Sequence, residues 1–306
     1  MIPWLARTCD RALIAWLARH VRPPRGYQPP DGAARQPCIA AVSAGPIYPT
    51  LTKKLHEDHW EFRAASPAPS VWKESQTIRG QILGAADSRA ALLVLHGAYG
   101  EYAPCQMLAR PFLPHGFRVL IPAAPGHLER SPRRTTSGAP FFWSAESVVL
   151  GLAQWLTDIR GLIEGLRREG VERIGIVGYS IGSLAAGLAA TLWSDLDFVA
   201  VLAPVGHHLQ AVEHRGVAAQ LWPWMRRLSP ERRALLDGWA PINRRPVVSR
   251  LLFLIPLFDV LQPTDLQQAW WQAWDQPEQR QYRHGHISVC FCRQLYRDLG
   301  DFAATL

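Results

Sequence analysis

The sequence predicts an α/β fold, with a mainly parallel sheet flanked by helices on both faces and a helical cap insertion. From about residue 76, short apolar runs alternate with longer segments whose apolar residues recur at helical spacing, which is typical of βαβ units. Runs such as 91–95 and 251–255 are apolar throughout, which indicates strands covered on both faces. With 306 residues, 48% of them hydrophobic, the chain is long enough for one such domain with insertions.

The first half of this alternation contains three predicted strands and two predicted helices. The strands are expected at 77–83, 91–95 and 117–122. A helix interrupted by prolines is expected between the last two strands, ending near residue 113. A long helix is expected over 144–169, because apolar residues recur there at helical spacing, namely Val148, Leu152, Leu156, Ile159 and Leu162.

The second half continues the same pattern around one interruption. In chain order we predict a strand at 173–178, a helix at 181–193, strands at 198–203 and 250–255, a helix at 265–274, a short strand at 279–283 and a helix from about 288. Residues 206–248 leave the alternation, since they are basic, helical only in parts and punctuated by prolines. We interpret them as a cap whose tryptophans pack on the core, with some of them lining an apolar pocket.

The N-terminal quarter, 1–75, does not follow the alternation and is predicted as a separate segment from the main domain at 76–306. It begins with an amphipathic helix and continues as a Pro/Gly-rich arm over 22–50. One helical face carries the apolar residues Leu5, Cys9, Ala12, Leu13, Trp16 and Leu17. Two interpretations remain open: the helix docks on its own domain or on a dimer partner, or residues 1–20 make peripheral contact with a membrane.

Composition limits which cellular compartment and which classes of binding partner are expected. The formal charge is +8, but no nucleic-acid-binding motif accompanies it, so we expect no nucleic-acid partner. An odd number of cysteines without paired CxxC units suits a reducing compartment; they are Cys9, Cys38, Cys105, Cys290 and Cys292. Charged residues interrupt the N-terminal apolar stretch, and no run reaches membrane-spanning length. We therefore expect a cytoplasmic protein, with membrane association as the alternative.

The segment Gly178-Tyr179-Ser180-Ile181-Gly182 is the most informative motif in the chain. It matches G-x-S-x-G and lies between a predicted buried strand and a predicted helix, which is the context of a nucleophile elbow. Glycines two residues before and after the serine permit a very tight turn. The N-terminus of the following helix directs unpaired N–H groups toward negative charge that forms beside Ser180. The motif predicts Ser180 as a nucleophile.

A serine nucleophile needs a base and an acid that orients the base. Asp259 follows the carboxyl end of the strand at 250–255, the edge of an α/β sheet where ligands bind. Asp265 is the alternative acid, although its position suits the N-terminus of the next helix. His286 is the preferred base because it lies in a loop after the last short strand. His284 is the alternative base.

The oxyanion hole needs two backbone N–H groups that point at the developing charge. Ile181, the residue after the nucleophile, supplies one in our interpretation. Ala98, in the loop after strand 91–95, supplies the other, and Gly97 lets that loop approach the substrate. We interpret His96 as a structural histidine that hydrogen-bonds the neighbouring loops.

Residues from about 77 to 300 resemble the α/β-hydrolase superfamily. The matching segments are His96-Gly97, Pro125-Gly126-His127, Gly178 to Gly182, Asp259 with Pro263, and Gly285-His286. The superfamily usually has glycine three residues before its acid, where this chain has Pro256. The resemblance implies the α/β-hydrolase fold and a triad in the chain order Ser180, Asp259, His286.

The predicted function is a serine hydrolase that cleaves a carboxylic ester or thioester of a small acyl substrate through an acyl-enzyme on Ser180. Two alternatives remain: an acyltransferase that uses the same site, and a catalytically inactive binding protein with this fold. We expect no cofactor and no metal, because the spacing of the histidines matches no metal-ligand frame; they are His207, His208, His214, His284 and His286.

Overall fold

The computed structural model describes residues 3–20, 39, 42–68, 70, 72–213 and 218–306. Much of the predicted arm at 22–50, together with Cys38 and His214, therefore lies outside the described residues.

The described residues form one sheet of nine strands. The strands are β1 (Thr50–His56), β2 (His59–Ala65), β3 (Thr77–Leu83), β4 (Ala90–Leu95), β5 (Phe117–Pro122), β6 (Arg173–Tyr179), β7 (Phe198–Leu202), β8 (Leu251–Pro256) and β9 (Glu278–Tyr282). Their order across the sheet is β1-β2-β3-β5-β4-β6-β7-β8-β9. The first three strands and β5 pair antiparallel, and every later pair is parallel. This arrangement confirms the predicted mainly parallel sheet.

Helices lie between the parallel strands, before β1 and after β9. They are α1 (Pro3–His20), α2 (Tyr102–Ala109), α3 (Ala145–Arg168), α4 (Ile181–Leu192), α5 (Gln210–Glu213), α6 (Ala218–Leu221), α7 (Pro230–Asp237), α8 (Thr264–Ala273) and α9 (Arg293–Ala304). The helix expected to reach residue 113 ends earlier and continues as a 3₁₀ helix over Arg110–His115, which contains two prolines. The last helix begins at Arg293 rather than 288, after a 3₁₀ turn over Ser288–Phe291.

Both faces of the sheet are covered by apolar side chains. Every residue of β4 and of β8 is buried, as the continuous apolar runs predicted. Ser144 caps the N-terminus of α3, because its hydroxyl accepts a hydrogen bond from the N–H of Ser147 at 3.1 Å. Its five predicted apolar residues are all buried on one side of the sheet, and α2 and α9 contribute to the core on the other side.

The hairpin of β1 and β2 was not predicted from the sequence. All seven residues of β1 are exposed, so no buried face produces an apolar alternation there. Backbone pairing with β2 holds the strand, and β2 pairs in turn with β3 from His59–Leu83 to Ala65–Thr77. The sheet therefore begins well before residue 76.

The helix α1 buries a different face from the apolar one named above. Its buried residues are Ala6, Asp10, Ile14 and Leu17, so Leu17 is the one residue shared by the two faces. Leu13 and Trp16, by contrast, are 40% and 53% exposed. The helix packs against α6 and the 3₁₀ turn Ser288–Phe291. Within the described residues, no helix combines the length and the apolarity needed to cross a bilayer.

The segment at 206–248, predicted as a cap, contains α5, α6, α7 and short 3₁₀ turns in its described part. Its tryptophans differ in burial, since Trp239 is buried while Trp222 and Trp224 are partly buried against the core. The indole N–H of Trp224 donates to the carbonyl of Phe142 at 2.9 Å. These contacts fasten the segment to the loop that precedes α3.

Candidate active site

Ser180 lies between β6 and α4, in the sharp turn that the motif predicts. Its backbone has φ 56° and ψ −121°, a region that L-residues rarely adopt. The N–H of Ser180 donates to the carbonyl of Leu202 on the neighbouring strand at 2.9 Å. The surrounding fold thus maintains a strained backbone at this residue, a feature common at functional sites.

The two elbow glycines are required by close packing. A Cβ atom at Gly178 would lie 2.2 Å from the carbonyl oxygen of Gly182. A Cβ atom at Gly182 would lie 2.2 Å from the carbonyl oxygen of Leu95, at the end of β4. Only glycine at both positions lets the turn pass this close to the neighbouring backbone.

His286 contacts Ser180 and Asp259, the two other residues predicted for the triad. Its Nε2 atom lies 2.8 Å from Oγ of Ser180, and its Nδ1 atom lies 2.7 Å from Oδ2 of Asp259. All three side chains are buried. The structure therefore brings the three residues together in the geometry of a nucleophile, a base and an orienting acid.

The carboxylate of Asp259 is held by hydrogen bonds from the loop that follows β8. Its Oδ1 atom accepts the N–H groups of Leu261 at 2.9 Å and Gln262 at 2.8 Å. Its Oδ2 atom, which faces His286, also accepts a hydrogen bond from the side-chain amide of Gln267 at 3.2 Å. These donors fix the orientation of the carboxylate toward the imidazole.

The alternative acid and base lie in other positions. Asp265 is in the first turn of α8, where a negatively charged side chain stabilises the helix through its dipole. His284 is half-buried, and its backbone forms the local turn, donating to Tyr282 at 2.7 Å and accepting from Phe258 at 2.8 Å. The imidazole that reaches Ser180 belongs to His286.

The electrostatic environment of His286 favours its protonated form. Burial by itself lowers the pKa of this imidazole. The charge of Asp259, its hydrogen bond and the charge of Asp10 outweigh burial, so the pKa of His286 is raised above its ordinary value. A raised pKa makes the imidazole a stronger proton acceptor from Ser180.

The residues predicted for the oxyanion hole lie beside Ser180. Ile181 is the first residue of α4, and both Ile181 and Ala98 line the cavity that contains Ser180. The loop that carries Ala98 approaches closely, because a Cβ atom at Gly97 would lie 3.2 Å from Cβ of Ser180.

His96 has the structural role expected of it. Its Nδ1 atom lies 2.8 Å from the carbonyl of Gly97, and its Nε2 atom accepts the N–H of Ala124 at 2.9 Å. These partners assign the proton to Nδ1 in a neutral ring. Burial lowers the pKa of His96 to about 4, so the ring stays neutral while it holds the Gly97 loop in place.

A cavity of about 560 Å³ opens onto Ser180 and His286. Its apolar wall comes from α1, the segment at 206–248 and adjoining loops, through Leu13, Ile14, Trp16, Leu17, Phe142, Leu221, Trp222, Met225 and Leu261. His208 also lines the cavity, and neither of its ring nitrogens has a hydrogen-bond partner within the described part of the chain. The cavity is thus mainly apolar, with a few polar groups near Ser180, as expected of a small-molecule site.

Sequence reasoning missed two residues that contact His286. Tyr179 donates its hydroxyl hydrogen to the carbonyl of His286 at 2.9 Å. Asp10, from α1, accepts the N–H of His286 at 2.8 Å. One signal could have indicated Asp10: it is the only acidic residue in the first 30 and shares a helical face with apolar Ile14 and Leu17.

Solved structures with the same fold include several esterases. An acetyl xylan esterase from Paenibacillus sp. R4 matches with a TM-score of 0.65 and 18% identity, over 94% of this chain and 98% of that chain. Est1E from Butyrivibrio proteoclasticus, bound to ferulic acid, matches with a TM-score of 0.52 and 12% identity, over 75% of this chain and 95% of that chain. At these identities the likeness establishes the fold.

A peptidase shares the fold over part of its length. The acylaminoacyl peptidase from Pyrococcus horikoshii matches with a TM-score of 0.57 and 12% identity, over 83% of this chain. This chain spans about half of that protein, since the match covers 49% of it. Comparison of the sequence with curated proteins finds no match.

The family assignment follows from the sequence together with the fold. A model of the alpha/beta hydrolase family matches residues 92–305, well over half of the chain. The matched region begins in β4 and ends just after α9, so it includes the predicted elbow at Ser180 and the loops that carry Asp259 and His286. The chain belongs to the alpha/beta hydrolase family.

Proposed function

We propose that this protein is a serine hydrolase that cleaves a carboxylic ester or thioester through an acyl-enzyme on Ser180. The observation that carries the proposal is the continuous hydrogen-bonded chain from Ser180 through His286 to Asp259. Membership of the alpha/beta hydrolase family supports hydrolysis as the reaction class.

The geometry supports a two-step acyl transfer. As Oγ of Ser180 attacks the carbonyl carbon, Nε2 of His286 takes the hydroxyl proton, and the carbonyl becomes a tetrahedral oxyanion. The imidazolium then gives this proton to the leaving alcohol or thiol, and the carbon–oxygen or carbon–sulfur bond breaks. Water, activated by the same imidazole, releases the acid and restores Ser180. Throughout, Asp259 holds the imidazole and stabilises its positive charge.

The oxyanion would be held by backbone N–H groups of Ile181 and Ala98. Both residues line the cavity beside Ser180. The N–H of Ile181 belongs to the first turn of α4, where the helix dipole also favours negative charge. Backbone donors of this kind typically contribute about 3 kcal/mol to transition-state stabilisation.

The cavity supports an acyl or aromatic group as the part of the substrate that it buries. Its wall is built largely from aliphatic and aromatic side chains, with Met225 and Leu221 from the segment at 206–248 and Ile14 from α1. The acetyl xylan esterase and the ferulic acid complex named above are consistent with ester chemistry on this fold.

Labelling with a fluorophosphonate probe tests the nucleophile. We expect the wild type to be labelled covalently and Ser180→Ala to remain unlabelled. Ser249→Ala is the matched control, since Ser249 is exposed and should leave labelling unchanged. Equal labelling of the wild type and Ser180→Ala would contradict the proposal, and an unlabelled wild type would favour a binding protein with this fold.

Turnover of p-nitrophenyl esters from acetate to laurate then tests the substrate class. We expect a preference for apolar acyl chains, because each buried methylene contributes about 0.8 kcal/mol to binding. Added alcohol acceptors distinguish the acyltransferase alternative: ester formation in place of free acid would identify acyl transfer. Hydrolysis that stays unaffected by the acceptor supports the hydrolase.

A further inference from the structure

Asp10 is a fully buried carboxylate that lies against the backbone of the candidate catalytic histidine. Its Oδ2 atom accepts the N–H of His286 at 2.8 Å, and its Oδ1 atom accepts the N–H of Ile287 at 3.1 Å. The two partners follow Asp10 by 276 and 277 positions in the chain, so α1 reaches the site from the far end of the sequence.

The loop before His286 is shaped to admit this carboxylate. A Cβ atom at Gly285 would lie 2.5 Å from Oδ2 of Asp10, so only glycine fits there. The N–H of Gly285 donates to the hydroxyl of Ser288 at 2.9 Å, which closes the turn. The two N–H groups that follow Gly285 are thereby left to the carboxylate of Asp10.

A buried carboxylate is costly unless its environment compensates for lost hydration. Burial raises the pKa of Asp10, while the charge of His286 and the two backbone hydrogen bonds lower it in part. Among the residues that the structure describes, three other titratable groups face this cluster: Asp259 from the loop after β8, Tyr179 from β6 and Cys290 from the last 3₁₀ turn. None of the three carries positive charge, so His286 is the cationic partner of Asp10 in this cluster when its imidazole is protonated.

We propose that Asp10 is a positioning residue of the active site: its carboxylate holds the backbone of His286 in register with Ser180 and stabilises the imidazolium formed during the reaction. The inference rests on the proposed serine hydrolase function. Asp259 acts on the ring of His286 through Nδ1, whereas Asp10 acts on its main chain, so the two carboxylates constrain different parts of the same residue.

This role makes α1 a part of the active site. The same helix contributes Ile14 and Leu17 to the cavity wall and Asp10 to the histidine loop. Docking of α1 therefore builds one side of the substrate cavity and fixes the base in a single step.

The variant Asp10→Asn tests the proposal with little change in volume. The oxygen of its amide can still accept one backbone hydrogen bond. The NH₂ group is a donor, however, so it cannot pair with the second backbone N–H, and the negative charge is lost. We expect kcat to fall roughly 10- to 100-fold, the range of a lost hydrogen bond to a charged group, with KM within about twofold. We also expect the acid limb of the kcat pH profile to move to lower pH, because the imidazolium loses a nearby anion.

The matched control is Arg11→Gln, which also removes one charge from α1 but at an exposed position. It should leave kcat and the pH profile unchanged. If Asp10 were only a structural residue, Asp10→Asn would lower the melting temperature and leave the acid limb in place, and that result overturns the proposal.

A titration of ¹⁵N-labelled histidine by NMR separates this inference from the proposed function, because it needs no substrate. A lower pKa of His286 in Asp10→Asn supports the role of Asp10 even if the wild type proves inert toward esters. An unchanged pKa contradicts that role even if the wild type is active. If the variant does not fold, uniformly ¹⁵N-labelled wild type provides the test: the amide signals of His286 and Ile287 must follow the ionisation of Asp10, and amides that do not respond overturn the proposal.

Discussion

The Nδ1 atom of His286 lies 2.7 Å from Oδ2 of Asp259, and both side chains are buried. Two loops at the carboxyl edge of the sheet supply these residues, one after β8 and one after β9. In a buried pair the orientation and the charge of the carboxylate act directly on the imidazole, with little screening by water. The consequences for activity, pH dependence and stability can each be measured.

Replacing Asp259 by Asn should lower kcat by about 10³- to 10⁴-fold, because the imidazole loses the group that fixes its tautomer and stabilises its positive charge. Steady-state kinetics with a p-nitrophenyl ester measure this change. Asp265→Asn provides the control and should stay within about twofold of the wild type, as expected for a surface substitution. A larger loss in Asp265→Asn than in Asp259→Asn would reverse the assignment of the acid.

Activity should fall toward low pH with a midpoint above about 6.5, the ordinary pKa of histidine. Activity falls on the acid side because only the neutral imidazole can accept the proton of Ser180. Since the pKa of His286 is raised, the imidazole becomes protonated at a higher pH than an ordinary histidine. The profile of kcat/KM against pH for the free enzyme measures this midpoint. A midpoint near 5 would contradict the electrostatic environment described for His286.

Breaking the buried ion pair between Arg130 and Asp158 should strongly destabilise the protein. Their charged atoms lie 2.8 Å apart, with side chains that are 0% and 1% exposed. Arg130→Met leaves the carboxylate buried without its cation, so the free energy of unfolding should fall by about 3–5 kcal/mol. Urea denaturation measures this loss. Arg245→Met is the control, because its partner Asp275 and Arg245 itself are largely exposed; it should change stability by less than about 1 kcal/mol.

Narrowing the cavity should shorten the preferred acyl chain. Met225 is 1% exposed and lines the cavity, so Met225→Trp fills space that an acyl chain would occupy. Each methylene that no longer fits costs about 0.8 kcal/mol, roughly a fourfold loss in kcat/KM. The ester series from acetate to laurate measures the shift. Val247→Trp, at an exposed position, should leave the chain-length preference unchanged.

The outer side of α1 should bind anionic membranes. Trp4 is 64% exposed and Leu5 is 41% exposed, and exposed Arg7 and Arg11 lie on the same helix. Apolar side chains beside basic ones favour the interface of an anionic bilayer. We expect Trp4→Glu with Leu5→Glu to weaken sedimentation with phosphatidylglycerol-containing vesicles roughly tenfold. Val247→Glu is the control, and equal sedimentation of wild type and double variant would exclude this contact.

Local pattern was sufficient to predict the strands from β3 onward. The bounds of β3 and β5 agree with the prediction, and α3 differs by one residue at each end, because buried strands and long amphipathic helices leave a strong periodic signal. The pair β1 and β2 left no such signal, since β1 is exposed along its whole length and depends on backbone pairing.

The candidate triad was also foreseeable, because parallel strands present their carboxyl ends at one edge of the sheet. Position along the chain placed Asp259 and Asp265, or His284 and His286, within reach of that edge. It favoured Asp259 and His286 but left Asp265 and His284 open as alternatives. Which aspartate and which histidine come together at Ser180 depends on how the two loops fold. Backbone hydrogen bonds of the 3₁₀ turn Ser288–Phe291 and of the loop after β8 set that fold.

By itself, the sequence determined the fold class, the tight strand-turn-helix connection at Ser180 and the chain order of the candidate residues that follow it, since all three depend on local periodicity and on short motifs. Only the tertiary structure decided which face of α1 is buried. Helical spacing ranks faces by apolarity and therefore disfavours a face that contains Asp10. Two N–H donors from the loop at His286 offset part of the cost of burying that carboxylate, and those donors come from the opposite end of the chain.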